Sequence, residues 1–428
     1  MSFRSAIKSR IAEYITSETR LRRKRETFEK QRKRQGHPHE VHYFHHVSDP
    51  YSHLALQKLA GFQKNYAVKL TFHLISGPPA WATPDRTGLD AYALMDANQL
   101  AAHLGLSGVS QQKPSAERVT QAEAAMAVHL SESMDIRKLQ DISNALWSNN
   151  EIALASEVNV EDAKAQGDAL LEKLGHYLGA TFYYEGEWYW GVDRLHYLED
   201  RLHQLGLGPA PSSNRRSGPD QGVSDARVSC NEIDLFLSFR SPYSYLAFNR
   251  TCELSDRLGA KLNILPVLPM VMRGLPVPPA KRKYILMDAA REARSHGIPF
   301  GRICDPLGRP IERGYSLLQY AQEEGCLREY CSAFMTSVWS EGVDADTDNG
   351  LAKIIEAAGL DWSKARTIVD NDDWRVQIEK NRENLTAPGL WGVPSYRVGT
   401  TAIWGQDRIW AVEAALQHTT TPIVSCQP

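Results

Sequence analysis

The sequence predicts an α/β fold built from two tandem copies of one unit, each with an inserted helical subdomain. Three observations predict it: a motif set recurs at a fixed offset, each copy shows the same order of strand-like and helical stretches, and a stretch rich in Pro, Gly and Ser separates the copies. Asp49-Pro50-Tyr51-Ser52-His53-Leu54-Ala55 parallels Ser241-Pro242-Tyr243-Ser244-Tyr245-Leu246-Ala247, 192 residues later. Tyr92-Ala93-Leu94-Met95-Asp96-Ala97 parallels Tyr284-Ile285-Leu286-Met287-Asp288-Ala289 at the same offset, as does Trp147-Ser148 against Trp339-Ser340. A repeat at one spacing is the signature of duplicated architecture. Further on, Trp190-Gly191-Val192-Asp193-Arg194 parallels Trp404-Gly405-Gln406-Asp407-Arg408 at an offset of 214. The second copy therefore gains about 22 residues between Trp339 and Pro394.

Each copy begins with a β-rich apolar run, Val41 to Val47 in the first and Glu232 to Phe239 in the second. A turn with Pro follows, then a helical stretch, Tyr245 to Leu258 in the second copy. Pro suits the first turn of a helix because the N–H it lacks has no intrahelical partner there. A second strand is expected at Val68 to Ile75 and at Lys261 to Leu265. A long helical region comes next. The second copy closes with strands at Ser395 to Val398 and Thr401 to Trp404 and a helix from Ile409 to Gln417. Strand–helix–strand, helical insert, strand–strand–helix is the order of a thioredoxin-like fold with an inserted helical subdomain. The expected division is a basic N-terminal helical segment at 1–39, a first domain at 40–205, a linker at 206–229 and a second domain at 230–420.

At 428 residues, two or three domains are expected. Hydrophobic residues make up 42% and charged residues 23%, an ordinary balance for a globular protein. No run of about 18 apolar residues marks a membrane span, and the start has no apolar segment of signal-peptide type; a cytoplasmic protein is expected. All six cysteines, Cys230, Cys252, Cys304, Cys326, Cys331 and Cys426, fall in the second half without a C-x-x-C, which excludes a zinc spacing and leaves free thiols as the plain reading. Net charge is −2, but residues 1–40 alone carry +7, concentrated between Arg20 and Arg34. Such a run contacts phosphate or anionic lipid, or forms a solvated helix face. Ile7, Ile11, Tyr14 and Ile15 stand at helical spacing, as in an amphipathic helix. His45, His46 and Asp49 are close in sequence, but adjacent strand residues point to opposite faces, so no metal site is expected.

The chemistry concentrates in the second copy. Its motifs are Ser241-Pro242-Tyr243-Ser244, Lys281 with Tyr284, Asp288 and Arg291 at helical spacings of three and four, Gly297-Ile298-Pro299, Gly392-Val393-Pro394 and Trp404-Gly405-Gln406-Asp407-Arg408. Jointly they resemble the 2-hydroxychromene-2-carboxylate isomerase and kappa-class glutathione transferase group, within the wider DsbA-like thioredoxin families. The resemblance implies a glutathione-dependent isomerase or transferase. Ser241, standing where redox members carry the first cysteine, would donate a hydrogen bond to the glutathione thiolate, helped by the helix N-terminus. Its plain alternative is an N-cap. Val393 and Pro394, resembling the cis-proline turn, would pair with the extended peptide. Gln406 and Asp407 would hold the γ-glutamyl end. Lys281 would meet a carboxylate, and Arg240, Tyr243 and Tyr284 would flank a small electrophilic substrate of the aromatic carboxylate kind.

Two departures stand out. The segment Cys304 to Arg313 lacks the Asn that the family places in a P-x-N segment. In the first copy Asp49 replaces the serine and Ala180 occupies the proline position, so that copy reads as degenerate and the two domains as a pseudo-dimer. The other readings of the chain are a thiol–disulfide oxidoreductase or peroxidase, which the missing C-x-x-C opposes, and a non-catalytic thioredoxin-like binding protein.

Overall fold

The computed structural model describes residues 3–83, 85–132, 134–153, 159–211 and 232–418. Most of the expected linker, together with Cys230 and Cys426, lies outside the described residues. In chain order the elements begin with α1 (Phe3–Thr16), α2 (Glu18–Gln35), β1 (Glu40–His45), α3 (Pro50–Asn65) and β2 (Lys69–Leu74). Helices α4 (Arg86–Leu104), α5 (Ala116–Glu132), α6 (Ile136–Trp147) and α7 (Val160–Leu174) follow, then β3 (Thr181–Tyr184), β4 (Glu187–Trp190) and α8 (Gly191–Gln204). The second half opens with β5 (Glu232–Leu237), α9 (Pro242–Leu258), β6 (Lys261–Pro266) and α10 (Pro279–Ser295). Six helices come next: α11 (Arg309–Tyr315), α12 (Leu318–Glu323), α13 (Leu327–Thr336), α14 (Asp348–Ala357), α15 (Trp362–Ile368) and α16 (Trp374–Thr386). Strands β7 (Ser395–Val398) and β8 (Thr401–Trp404) and helix α17 (Ile409–His418) close the described chain.

The chain divides into two compact units, and the division falls within α2. Residues 3–22 group with 232–418, and residues 23–211 form the other unit. The basic segment expected at 1–39 is thus shared out between the two. In the unit holding the C-terminal half, α1 buries Ser9 and Thr16 and leaves Ile7, Ile11 and Tyr14 about half exposed. The small residues face inward because α1 passes two glycines closely. A Cβ on Gly301 would stand 2.5 Å from Thr16 Oγ1, and one on Gly342 would stand 2.4 Å from Ser9 Oγ. In the other unit α2 spends part of its charge internally: Arg25 pairs with Glu187 at 2.7 Å, and Lys24 donates to the Gly186 carbonyl.

Each unit holds one four-stranded sheet, ordered β2-β1-β3-β4 and β6-β5-β7-β8. The first strand of each pairs parallel with the second and antiparallel with the third. The register Glu40↔Lys69 recurs as Glu232↔Lys261, and Thr181↔Trp190 recurs as Ser395↔Trp404, at offsets of 192 and 214. The β5 strand is buried at Ile233, Leu235, Phe236 and Leu237, so it runs through the centre of its core. Between Trp339 and β7 stand α14, α15 and α16, where the first half has only α7 among the described residues. These helices accommodate the extra length. Leu351, Ile354, Ile355, Ile378 and Leu385 bury their apolar faces.

Candidate functional site

The site is built where β5 turns into α9. Ser241 is the N-cap of α9, with extended backbone (φ −93°, ψ 116°), and Pro242 occupies the first helical turn. Ser241 Oγ accepts from the Ser244 backbone N–H at 3.1 Å and donates to the Val393 carbonyl at 3.2 Å. The capping role and the expected site role therefore use the same oxygen. Val393 is half-buried, and its bond to Pro394 is cis. The Pro394 carbonyl accepts from the Gly405 N–H at 3.0 Å, which brings the 405–408 turn beside it. The Trp404 indole lies over Gly392, where a Cβ would stand 2.1 Å from the ring, and against Trp391 at 4.8 Å between ring centroids.

Several expected site residues are spent on internal partners. Arg240 forms a bidentate ion pair with Asp305 at 2.7 and 2.9 Å, so its charge is neutralised rather than free to steer an anion. The Tyr243 hydroxyl donates to Asp288 at 2.9 Å. The same bond joins Tyr51 to Asp96 at 2.8 Å, 192 residues earlier. This tie fastens α9 to α10, and α3 to α4, and gives the repeated Tyr and Asp a structural role. Gln406 is buried; its amide donates to Glu292 at 2.6 Å, and its side-chain oxygen accepts from Arg250 at 3.0 Å. Both ends of its side chain are occupied, so it does not reach a ligand directly. Asp407 keeps a partly exposed carboxylate, 3.5 Å from the buried Arg408. It lies inside a short 3-10 turn at Gln406–Arg408 that leads directly into α17.

Lys281, Tyr284 and Asp288 share the buried face of α10. The Lys281 ammonium stands 5.5 Å from the centre of the Trp391 ring, a cation–π distance, and makes no ion pair among the described residues. Burial holds its pKa below the usual lysine value. Two neighbours have no local motif that would mark them. Arg273 donates to the Trp391 carbonyl at 2.8 Å, but its Nε is buried without an acceptor. Trp391 Nε1 is likewise buried without an acceptor. Proximity to Gly392-Val393-Pro394 is the only sequence signal for Trp391. Arg273 meets it across 118 residues.

In the N-terminal half the corresponding turn is closed by its own groups. The Asp49 carboxylate accepts from the Tyr51 and Ser52 N–H groups and from Ser52 Oγ at 2.8 Å. Ser52 Oγ in turn accepts from the Ala180 N–H at 2.9 Å, and Ala180 holds a left-handed φ of +54°. Desolvation pushes the Asp49 pKa up to about 6.

Against this geometry, the DSBA-like thioredoxin domain model matches residues 232–417. The C-terminal half carries a DsbA-like thioredoxin domain. Among characterised relatives, the 2-hydroxychromene-2-carboxylate isomerase of Pseudomonas putida is 24% identical over 192 residues, 43% of this chain and 93% of that protein. Its namesake in Sphingobium xenophagum is 25% identical over 192 residues, 43% of this chain and 97% of that protein. A solved 2-hydroxychromene-2-carboxylate isomerase structure aligns at 24% identity and a TM-score of 0.39, covering 44% of this chain and 95% of that one. The cytosolic disulfide reductase DsbM of Pseudomonas aeruginosa aligns at 15% identity and a TM-score of 0.35, covering 44% of this chain and all of that one. Among the described residues, no helix is long and apolar enough to cross a membrane.

Proposed function

We propose that the DsbA-like domain is a glutathione-dependent isomerase or transferase of the 2-hydroxychromene-2-carboxylate isomerase and kappa-class type. The observation that carries this reading is the placement of the Ser241 hydroxyl, half exposed at the N-terminus of the 17-residue α9 and 3.2 Å from the Val393 carbonyl. Bound glutathione would bring its thiolate to this point, and the Ser241 proton would turn from Val393 to the sulfur. The α9 N–H groups add positive potential to the same spot. Val393 and Pro394 hold the peptide, Asp407 takes the γ-glutamyl ammonium, and Lys281 takes a carboxylate. Gln406 acts as a positioning residue, tying the 406–408 turn to Glu292 and Arg250.

In the reaction, the thiolate adds to an electrophilic carbon of a conjugated substrate and the π electrons move onto the conjugated carbonyl. After rotation about the new single bond, the electrons return, the double bond re-forms and the thiolate leaves, which is net isomerisation. If a proton quenches the adduct instead, the result is transfer. The substrate class is a small electrophilic aromatic carboxylate, in line with the names of the relatives.

In this reading the N-terminal unit is a degenerate second thioredoxin-like domain. Asp49 stands where the serine would be, so the chain has one competent site. A thiol–disulfide exchange reading is less favoured. Burial pushes the Cys252 and Cys304 thiols up to about 11 and raises that of Cys331, and low thiolate content slows exchange. The deciding experiment is the ultraviolet thiolate absorbance of glutathione bound to the full chain and to Ser241→Ala. The wild type should hold the bound thiol ionised near neutral pH. Ser241→Ala should return its pKa toward the solution value and lower turnover about a hundredfold, the usual cost of losing one anion-stabilising donor. An unchanged thiol pKa in Ser241→Ala removes the serine role, and an absence of glutathione binding removes the function.

A further inference from the structure

Helix α1 packs on its unit with a polar face inward. Its buried side chains are Ser9 and Thr16, which meet Gly342 and Gly301. Ile7, Ile11 and Tyr14 point the other way and are 43%, 52% and 52% exposed. Among the described residues, no two of the other exposed large apolar side chains share an element. A single exposed apolar residue is ordinary, but three on one helix face form a patch that calls for a partner. At about 100° per residue, Ile7, Ile11 and Tyr14 fall within an arc of about 60°. Half-buried Ile15 extends that arc. Exposed Arg10 borders it on one side and exposed Lys8 on the other, while exposed Glu13 lies back toward Ser9. Arg20 adds a third cation, its guanidinium 6.0 Å from the centre of the Tyr14 ring.

We propose that α1 is an interfacial helix through which the protein docks on an anionic lipid bilayer. At 14 residues it is too short to span a bilayer, and it lies in the plane of the surface instead. An apolar arc edged by cations is the pattern of such helices: the apolar side enters the boundary between headgroups and acyl chains. Lys8, Arg10 and Arg20 meet lipid phosphates beside the arc, and Tyr14 sets its ring at the depth that aromatic side chains favour. The +7 charge of residues 1–40 adds long-range attraction to a negative surface. Two other occupants fit less well. A nucleic acid would use the cations and leave the isoleucines in water. A second copy meeting this face across a two-fold axis would bring Lys8, Arg10 and Arg20 against their own equivalents, and like charges repel. The docking does not depend on the glutathione reading above.

The test is flotation of the full chain with vesicles of phosphatidylcholine alone and of phosphatidylcholine mixed with phosphatidylglycerol. The wild type is expected to bind the anionic vesicles about tenfold or more tightly than the neutral ones, and less tightly as salt is raised. Ile7→Ser and Ile11→Ser should each weaken binding to the anionic vesicles about fivefold, because each withdraws apolar surface from the bilayer. The double variant Lys8→Gln, Arg10→Gln should cut the preference for anionic vesicles about tenfold. All four side chains are exposed, so these variants should melt with the wild type. A wild type that binds neither vesicle overturns the proposal. Anionic binding that persists unchanged in both isoleucine variants assigns it to charge alone and also overturns it. A lipid-free dimer in sedimentation equilibrium that Ile11→Ser dissociates assigns the face to a second copy and likewise overturns the proposal.

Discussion

At the scale of single residues, one hydroxyl does two jobs. Ser241 Oγ caps α9 through Ser244 and touches Val393. Ser241→Ala should therefore also cost about 1 kcal/mol of stability from the lost cap, read as a lower melting temperature. Ser241→Asp would restore a cap, as Asp49 does for α3, but should abolish thiolate stabilisation because like charges repel. That pair separates capping from chemistry: recovered stability with recovered activity would contradict the proposed role. Gly392 offers a second test. A Cβ there would meet the Trp404 ring at 2.1 Å, so Gly392→Ala must displace the indole. It should cost about 1–3 kcal/mol, as overpacking does, and shift the tryptophan fluorescence; an unchanged melt would show that the ring is not held there.

At the scale of elements, the repeated tyrosine–aspartate tie explains why two separate motifs recur together. Tyr243 on α9 and Asp288 on α10 are 45 residues apart in sequence and one hydrogen bond apart in space. Tyr51 and Asp96 repeat the arrangement between α3 and α4. Tyr243→Phe should lower stability by about 1.5–3 kcal/mol, the range for hydrogen bonds to charged groups. Its effect on glutathione affinity should stay small. A loss of affinity without loss of stability would return the hydroxyl to the ligand site. The sequence marks the stretch that holds α14, α15 and α16 as extra length within a long helical region. Their positions follow from which apolar faces find the core, as Ile354, Ile355 and Leu385 do.

At the scale of the whole molecule, the two units should respond differently to acid. Burial holds His46, His53 and His73 down at about 4 and His45 at about 3, all in the N-terminal unit. In the unfolded chain they titrate near about 6.5. Between those values the unfolded state binds protons that the folded state refuses. Their stabilisation is therefore complete above about pH 6.5 and falls as pH drops toward about 4. Asp49 acts the other way. Raised to about 6, it favours the folded state when protonated and gives up that contribution as pH rises through about 6. Four histidines outweigh one carboxyl, so this unit should melt progressively earlier below about pH 6. Calorimetric scans across that range check it, and His45→Phe should flatten the dependence. A pH-independent melt would contradict it.

The cis turn at Val393-Pro394 was implied by the family resemblance; the sequence by itself determined the order of elements along the chain, the turn at Ser241 and the 192- and 214-residue offsets. These are local or periodic features, set by turn chemistry and by alternation of apolar residues. What only the tertiary structure decided is which polar groups remain free for a ligand. Arg240 is claimed by Asp305, Tyr243 by Asp288 and Gln406 by Glu292 across 65, 45 and 114 residues. Among the described residues, Lys281 and Arg273 are left without counter-ions beside Trp391. Pairing and burial depend on neighbours distant in sequence, so one motif string reads the same whether its charges are spent or open.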